Sequence, residues 1–226
     1  NEGHNVIASG RNEEKLAELA MIKNMTTCRF DVTDETATKE ALADIKCDIA
    51  VLNAGTCEYV DINNVEPDMF KRVFDANVFG VVNVVSALIP VLKSGNKIVF
   101  VDSLARLLPF PKSQAYGASK AALNYIAKSF EVDLAHKGIG VQTLSPGFVK
   151  TPLTDKNDFP MPMVISAEAA AEYMLKGIFS SSSSVYFPKR FSLIIRLLNL
   201  LPGGLQKKIC INMRQKTKKG ENSRDD

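Results

Sequence analysis

Short apolar, β-branched runs alternate with longer segments of helical periodicity along the first 190 residues. Several of the apolar runs end in Ser, Asn or Asp. This alternation predicts βαβ units and an α/β domain built on a parallel sheet. The candidate strands are residues 5–9, 27–31, 48–53, 97–103, 140–145 and 184–187. The candidate helices are residues 13–23, 35–44, 68–92, 113–136 and 167–179.

The amino-acid composition narrows the class of protein. At 226 residues the chain suits one domain better than two. Hydrophobic residues make up 46% and charged residues 23%, which is typical of globular proteins and far from disordered or fibrous compositions. The formal charge of +3 is small, so nucleic acid is not an expected partner.

The sequence pattern gives little sign of a metal site or a membrane span. The four cysteines are scattered, without a CxxC pair or a histidine cluster, so neither a metal site nor a disulfide framework is expected. The longest apolar run, residues 78–92, contains Asn83 and is shorter than the roughly 20 residues of a membrane helix. Without a secretory signal pattern, a cytoplasmic location is expected.

The sharpest chemical signal is Tyr116 with Lys120 inside a predicted helix, 13 residues after Ser103 at the end of a predicted strand. Positions i and i+4 share a helix face, so the Lys120 ammonium is expected to favour the ionised form of the Tyr116 phenol. Ser103 would hold a substrate oxygen while Tyr116 moves its proton and a cofactor moves a hydride. The alternative is a surface pair without a catalytic role.

Ser103, Tyr116 and Lys120 in this arrangement resemble the short-chain dehydrogenase/reductase family, and the resemblance spans almost the whole chain. It implies a Rossmann-like, doubly wound parallel sheet with helices on both faces. It also implies an NADP-linked or NAD-linked oxidoreductase that acts on a small-molecule ketone, aldehyde or alcohol. Pairing of subunits through the helices at 68–92 and 113–136 would give a homodimer or homotetramer.

The resemblance implies further site residues. Asn77 matches the family's helical asparagine, which positions a water and Lys120 for proton relay; the alternative is a structural amide that needs buried partners. Asp31 and Val32 resemble the adenine-pocket motif, whereas a helix N-cap better describes Asp34. Cofactor contacts are also implied for Tyr116 and Lys120, and at two turns that could instead be ordinary turns: Asn53, Ala54 and Gly55, then Pro146, Gly147, Val149 and Thr151.

The residues after the first candidate strand bear on the choice of cofactor. Folds of this type that prefer NAD place an acidic residue there to accept a hydrogen bond from the ribose 2′-OH. This chain has Gly10 and Arg11 instead. A guanidinium suits a 2′-phosphate through charge-assisted hydrogen bonds, so NADP (NADPH) is the expected cofactor. The alternative is an exposed Arg11 that pairs with Glu14.

The chain departs from the family at its beginning. The family's first strand and its glycine-rich TGxxxGxG turn, which cradles the pyrophosphate, are missing from this sequence. In the strand order 3-2-1-4-5-6 that strand is central, between the candidate strands at 5–9 and 48–53. The chain is therefore expected to be an N-terminally truncated version of a longer enzyme, with two strand edges unpaired and its own activity open.

The C-terminal part divides the chain further. Residues 1–190 are expected to form the NADP-binding oxidoreductase domain, and residues 191–226 an apolar helix, broken at Pro202, with a basic tail. The helix could complete a substrate pocket, contact another subunit or lie on a membrane; packing is preferred over membrane contact. Residues 152–165, with Pro160 and Pro162, are a candidate substrate lid. Two other functions stay open, a catalytically silent nucleotide-binding module and a peripheral membrane lipid reductase.

Overall fold

A computed structural model describes residues 3–155, 157, 159 and 161–222, with side chains described as far as residue 213. Pro160 of the predicted lid and the last four residues of the predicted basic tail lie outside the described residues. No described helix is long and apolar enough to cross a membrane.

All six predicted strands form, and every strand pairing is parallel. The strands begin and end within two residues of the predicted positions: β1 Val6–Gly10, β2 Met25–Arg29, β3 Ile49–Leu52, β4 Lys97–Val101, β5 Gly140–Pro146 and β6 Ser184–Phe187. They form a two-stranded sheet, β1-β2, and a four-stranded sheet in the order β3-β4-β5-β6.

Within the described residues, β1 pairs with β2 alone and β3 with β4 alone, so one edge of each strand is unpaired. Apolar side chains are partly exposed on these two strands, with Ile7 40% and Val51 42% accessible. The two sheets are connected nevertheless. Asn83, which lies between β3 and β4 in the chain, donates a hydrogen bond of 2.9 Å from its Nδ2 atom to the carbonyl oxygen of Val32, just after β2. Phe30, directly after β2, packs in the same cluster as the side chains of β3 and β4.

The helices follow the predicted positions with one interruption. They are α1 Glu13–Ala20, α2 Glu35–Leu42, α3 Pro67–Phe74, α4 Gly80–Leu88, α5 Gln114–Ala135, α6 Ala167–Ile178, α7 Lys189–Asn199 and α8 Gly203–Asn222. The helix predicted at 68–92 forms over residues 67–88, and a π-helical turn at Asp75–Phe79 lies within it, between α3 and α4. Turns of this kind contain one extra residue and often lie at functional sites.

The buried centre of the molecule is β4. Ile98, Val99 and Phe100 are fully buried, and successive side chains point to opposite faces of the sheet. Ile98 and Phe100 belong to the cluster that contains residues of α4 and α5, whereas Val99 belongs to the cluster that contains Ala170 of α6. Helices therefore cover both faces, and the predicted Rossmann-like α/β fold is confirmed.

The C-terminal segment packs onto the end of the sheet that carries the site. Phe191 and Ile195 of α7 and Cys210 of α8 form one buried cluster with Leu104 and Leu108. The apolar helix is broken at Pro202, as predicted: α7 ends at Asn199 and α8 begins at Gly203, so much of the predicted tail is helical.

Candidate active site

Ser103 is held where β4 ends. It is buried, with 7% of its surface accessible, and it caps the short 3₁₀ turn at Leu104–Arg106 by accepting a hydrogen bond of 3.1 Å from the Ala105 N–H at its Oγ atom. In open α/β sheets ligands bind beyond the carboxyl ends of the strands, and Ser103 lies at that position.

The structure brings Ser103, Tyr116 and Lys120 together. Tyr116 lies in the first turn of α5, and its phenol interacts with the Ser103 side chain. Lys120, one helical turn later, is buried, and its Nζ atom lies 6.0 Å from the centroid of the Tyr116 ring. The same Nζ atom donates a hydrogen bond of 2.9 Å to the carbonyl oxygen of Val101, the last residue of β4. Helix and strand end thus fix the three side chains around one point.

The charge states of this group differ from the expectation. Burial raises the pKa of Tyr116 to about 12, although the hydrogen bond with Ser103 acts in the opposite direction. Burial also lowers the pKa of Lys120 to about 8, against the raising effect of the Asp102 carboxylate. The expected lowering of the pKa of the phenol by Lys120 does not prevail, because desolvation outweighs it and the net shift is upward. Tyr116 is neutral at pH 7.

Asp102 precedes Ser103 and carries a buried charge that the sequence reasoning did not single out. Its Oδ2 atom accepts hydrogen bonds of 2.7 Å from Arg106 Nε and 2.7 Å from Asn124 Nδ2. The Arg106 side chain is 12% accessible and the Asp102 side chain is fully buried. The bond from Asn124 ties the end of β4 to α5, and hence Ser103 to the helix that carries Tyr116.

Asn77 lies in the π-helical turn and is fully buried. Its Oδ1 atom accepts a hydrogen bond of 2.7 Å from the Thr56 N–H, and its Nδ2 atom donates to the Thr56 carbonyl oxygen and to Ser119 Oγ, each at 2.9 Å. Because both ends of the amide are engaged with protein groups, the structural alternative describes Asn77 well. It joins the loop after β3 to α5.

The predicted turn after β3 adjoins the same group. Asn53, Ala54 and Gly55 are all exposed, but a Cβ atom added at Gly55 would lie 2.9 Å from Asn77 Oδ1 and 3.4 Å from Lys120 Nζ. Glycine therefore allows the turn to approach these two side chains closely.

Arg11 and Asp31 meet where β1 and β2 end. Arg11 Nη1 lies 3.1 Å from Asp31 Oδ2, and 76% of the Arg11 side chain is accessible. The alternative that Arg11 pairs with Glu14 is thus replaced by a pair with Asp31. Partial burial raises the pKa of Asp31, but hydrogen bonds from Thr33 and Arg11 outweigh it, and the net shift is downward.

The residues around the Arg11–Asp31 pair have structural roles or lie beside Arg11. Val32 packs against α4, since a Cβ atom at Gly80 would come within 2.7 Å of its Cγ2 atom. Asp34 caps α2 by accepting a hydrogen bond of 2.9 Å from the Ala37 N–H, as predicted. Sequence reasoning missed Arg29, which the strand register places opposite Gly10 and whose Nε atom donates to the Arg11 carbonyl oxygen at 3.4 Å. Only the register of β1 against β2 could have revealed it.

The segment after β5 is held firmly against the rest of the fold by hydrogen bonds and core packing. The Gly147 N–H donates a hydrogen bond of 2.7 Å to the Phe187 carbonyl oxygen, while Pro146 ends the strand and Val149 packs with Ile165 in the core cluster that contains Val99. Thr151 N–H donates to Thr154 Oγ1 at 2.9 Å and so begins a turn. Thr151 also lines a small cavity of about 300 Å³.

A cavity of about 900 Å³ opens in front of Ser103 and Tyr116. Its wall includes an aromatic cluster that sequence reasoning missed, because its members lie far apart in the chain: Tyr59, Phe148, Phe159 and Phe191. The predicted lid segment contributes to the lining through Leu153, Phe159 and Pro162, and the C-terminal helices through Phe191, Ile195 and Met213.

A parallel α/β sheet with a Ser, Tyr and Lys group at its carboxyl end defines the class of Rossmann-like oxidoreductases. Residues 1–160 match the sequence profile described as short chain dehydrogenase, and the chain belongs to that family.

The relatives and solved structures agree with this assignment. An uncharacterised oxidoreductase of Myxococcus xanthus is 33% identical over 215 residues, which cover 90% of this chain and 85% of that protein. Serine 3-dehydrogenase of Agrobacterium fabrum is 33% identical over 186 residues, covering 78% and 72%. The closed form of a serine dehydrogenase complexed with NADP+ superposes with a TM-score of 0.63 at 23% identity, covering 90% of this chain and 82% of that one.

Members of the family bind NAD or NADP, and the described residues fit the two ends of such a group. A Cβ atom at Gly10 would meet no atom within 4 Å, so there is open space beside the exposed cation of Arg11. At the other end, the close approach of Gly55 to Lys120 places the turn after β3 beside the group formed by Ser103, Tyr116 and Lys120.

Proposed function

We propose that this protein is an NADP-dependent oxidoreductase that interconverts a ketone or aldehyde and an alcohol, with Tyr116 as the general acid or base. The observation that carries the proposal is that Ser103 and Tyr116 line the same wall of a 900 Å³ cavity, with Lys120 buried beside the Tyr116 ring. A carbonyl oxygen placed between these two hydroxyl groups would receive hydrogen bonds from both.

Each residue of the site has its own role in the proposed reaction. Ser103 orients the substrate oxygen, and Tyr116 transfers a proton to it during reduction or removes one during oxidation. NADPH supplies the hydride. Because burial holds the pKa of Tyr116 near 12, the phenol carries its proton at neutral pH, which suits reduction. Lys120 and Asn77 fix the walls of the site through their bonds to Val101 and Thr56.

NADP as the cofactor is supported by Arg11. Its guanidinium is 76% accessible at the end of β1 and its present partner, Asp31, is partly exposed. An exposed ion pair of this kind contributes only about 0–1 kcal/mol, so little is lost when Arg11 turns to a phosphate, to which a guanidinium can donate bidentate, charge-assisted hydrogen bonds. A 2′-phosphate would therefore compete successfully for the guanidinium. Asp31 would also contact the adenine end of the cofactor, and its carboxylate is held in place by hydrogen bonds from the Thr33 N–H and hydroxyl.

The test of the mechanism is Tyr116→Phe, which removes the hydroxyl and keeps the ring. NADPH-dependent reduction of a ketone and aldehyde panel should fall by about 10²-fold to 10⁴-fold, while NADPH binding measured by calorimetry stays the same. Tyr125→Phe is the matched control, because Tyr125 lies on the same helix and is 79% exposed. Undiminished turnover in Tyr116→Phe would remove the proposed proton donor.

The test of the cofactor assignment is Arg11→Glu, which reverses the charge at the end of β1. The ratio of kcat/KM with NADPH to kcat/KM with NADH should fall by about tenfold or more. Lys176→Glu on α6, paired only loosely with Glu172 at 3.9 Å, is the control for a general charge effect. An unchanged ratio in Arg11→Glu would contradict the role of Arg11.

A second candidate, a reductase that acts at a membrane surface, is favoured by one observation. Leu193, Leu197 and Leu200 at the C-terminal helices are 55–80% exposed, and basic residues follow after Lys207, a combination found in interfacial helices. Leu197→Glu should then reduce flotation with vesicles that contain anionic lipid. Failure of the unaltered chain to float would remove this candidate.

A further inference from the structure

We infer that the substrate is a ketone, aldehyde or alcohol with a bulky apolar body, and not a small polar hydroxy acid. The inference rests on the proposed function, because it assigns the substrate of the same site. It concerns the part of the cavity that lies beyond Ser103 and Tyr116.

The size of the cavity is the first observation. Its volume of about 900 Å³ lies near the upper end of the roughly 300–1,000 Å³ found for small-molecule sites. Of the turn residues that the family resemblance assigns to the cofactor after β3 and β5, Gly147 alone lines it among the described residues. The volume therefore lies mainly on the substrate side of the site. A three-carbon substrate would leave most of the space to water.

The aromatic wall is the second observation. Tyr59 and Phe159 meet edge to face at 5.5 Å between ring centroids, Phe148 lies 6.2 Å from Phe159, and Phe148 lies 5.5 Å from Phe191. These rings come from the loop after β3, the segment after β5 and α7. Rings assembled from three parts of the chain present a continuous apolar surface against which an alicyclic or long-chain body can pack.

Several polar atoms of the wall are already engaged, which is the third observation. Tyr59 donates a hydrogen bond of 2.5 Å to Asn157 Oδ1, and burial raises the pKa of Tyr59, so it stays uncharged. Asp61 accepts a hydrogen bond of 2.9 Å from the Asn63 N–H. Lys112 is the single cation among the described lining residues, and it has an interaction of its own.

This polarity argues against a small acid. Recognition of a carboxylate calls for a fixed cation that donates charge-assisted hydrogen bonds, and the described lining offers Lys112 alone. An apolar body needs no such partner, because removal of its surface from water is the source of affinity. Each methylene that becomes buried is expected to lower Kd by about fourfold.

The experiment is a calorimetric titration of the full chain with NADP+ and methyl ketones from pentan-2-one to undecan-2-one, with NADP+ and a bicyclic ketone such as 2-decalone, and with NADPH and L-serine. A ketone cannot turn over with oxidised cofactor and an alcohol cannot turn over with reduced cofactor, so binding is measured without chemistry. Kd should fall by about fourfold for each added methylene until the cavity is filled, the decalone should bind, and serine should bind at least 100-fold more weakly than the best ketone.

A pair of variants locates the binding. Leu153 is half-buried and lines the cavity, whereas Val164 is 44% exposed in the same segment and is not among the lining residues. Leu153→Asp should raise Kd for the longest ketone by about tenfold or more, since it places a charge beside the apolar body. Val164→Asp should leave Kd within about twofold.

The outcomes separate this inference from the proposed function. A Kd that is independent of chain length, tighter binding of serine than of any ketone, or an equal response of the Leu153→Asp and Val164→Asp variants would overturn the apolar assignment. The same ketone series titrated into Tyr116→Phe should give Kd values that still fall with length. If binding follows the expected series but Tyr116→Phe turns over normally, the proposed mechanism fails and the substrate class stands.

Discussion

The Nζ atom of Lys120 lies 2.9 Å from the carbonyl oxygen of Val101, to which it donates a hydrogen bond. Lys120 is 5% exposed, so its ammonium group is largely removed from water. It has one backbone acceptor and lies beside the Tyr116 ring. Burial lowers the pKa of Lys120 from 10.5 to about 8. A group that is disfavoured in its charged form reduces the stability of the folded protein wherever it is charged.

Lys120→Met should therefore stabilise the protein without cofactor. At about 1.4 kcal/mol for each pH unit between the folded and unfolded pKa values, the buried charge costs up to about 3 kcal/mol at pH 7. The loss of the bond to Val101 reduces the net gain to about 2 kcal/mol, or roughly 4–8 °C in Tm for a chain of this size. Thermal denaturation measures the shift, and Lys128→Met, at a partly exposed position on the same helix, should stay within about 0.5 kcal/mol.

The pH dependence gives this prediction a sign. Between the folded pKa near 8 and the unfolded value of 10.5, the unfolded chain holds a proton that the folded chain has lost, so the stability contributed by Lys120 rises with pH. The advantage of Lys120→Met over the unaltered chain should be largest at pH 7 and should shrink toward pH 10. A constant difference across that range would show that the Lys120 charge is not the cause.

Asn77→Ala should lower the stability of the protein while leaving Ser103, Tyr116 and Lys120 chemically intact. Its removal would leave the Thr56 N–H and carbonyl and the Ser119 hydroxyl without their present partner. An unsatisfied buried polar group costs about 1–3 kcal/mol, so Tm should fall by roughly 4 °C or more. Asn63→Ala at an exposed position is the control.

Kinetics distinguish the two roles that the sequence left open for Asn77. If its role is structural, the pH profile of kcat in the Asn77→Ala variant should keep its midpoint and only its height should change. A displaced midpoint would instead indicate that Asn77 tunes proton relay through Lys120. Asn77→Asp retains an acceptor for the Thr56 N–H but donates no amide hydrogen bond. Its Tm should lie between those of Asn77→Ala and the control Asn63→Ala.

Gly147→Ala should move the apolar wall of the large cavity. A Cβ atom at position 147 would lie 2.7 Å from Phe191 Cδ1 and 3.3 Å from Pro188 Cδ, so the ring of Phe191 has to shift. Overpacking of this kind costs about 1–3 kcal/mol, and Kd for apolar ketones should change with it. Gly204→Ala, where a Cβ atom would meet no atom within 4 Å, should leave Tm and Kd unchanged or raise Tm slightly. Equal behaviour of the two variants would contradict the contact with Phe191.

Particular residues show what could be predicted from the sequence. The strand that ends before Ser103 and the helix that carries Tyr116 and Lys120 follow from hydrophobic period and residue spacing, which are local properties. The π-helical turn at Asp75–Phe79 could not be predicted, because one extra residue hardly alters a helical apolar pattern. The charge state of Tyr116 also lies beyond local spacing, since it depends on burial by residues far along the chain.

The aromatic cluster and the cation beside Arg11 illustrate the same limit. Tyr59 and Phe159 lie about a hundred residues apart and meet only in the folded chain. Arg29 comes beside Arg11 through the register of β1 against β2, and a shift of one residue would turn it to the other face. Periodicity predicts that a strand forms but does not determine its register.

The last prediction is that two copies of this chain pair through α4 and α5. It rests on exposed apolar side chains on α5 and at the π-helical turn directly before α4. Phe79, Tyr125 and Val132 are 58%, 79% and 75% exposed, and apolar side chains of this size on one region favour contact with another surface. Tyr125→Glu with Val132→Glu should convert the dimer or tetramer to a monomer in light scattering, because charges at the centre of an interface are costly. Leu175→Glu, at a 39% exposed position on α6, should leave the mass unchanged. A monomeric unaltered chain at micromolar concentration, or a double variant of unchanged mass, would contradict pairing through this face.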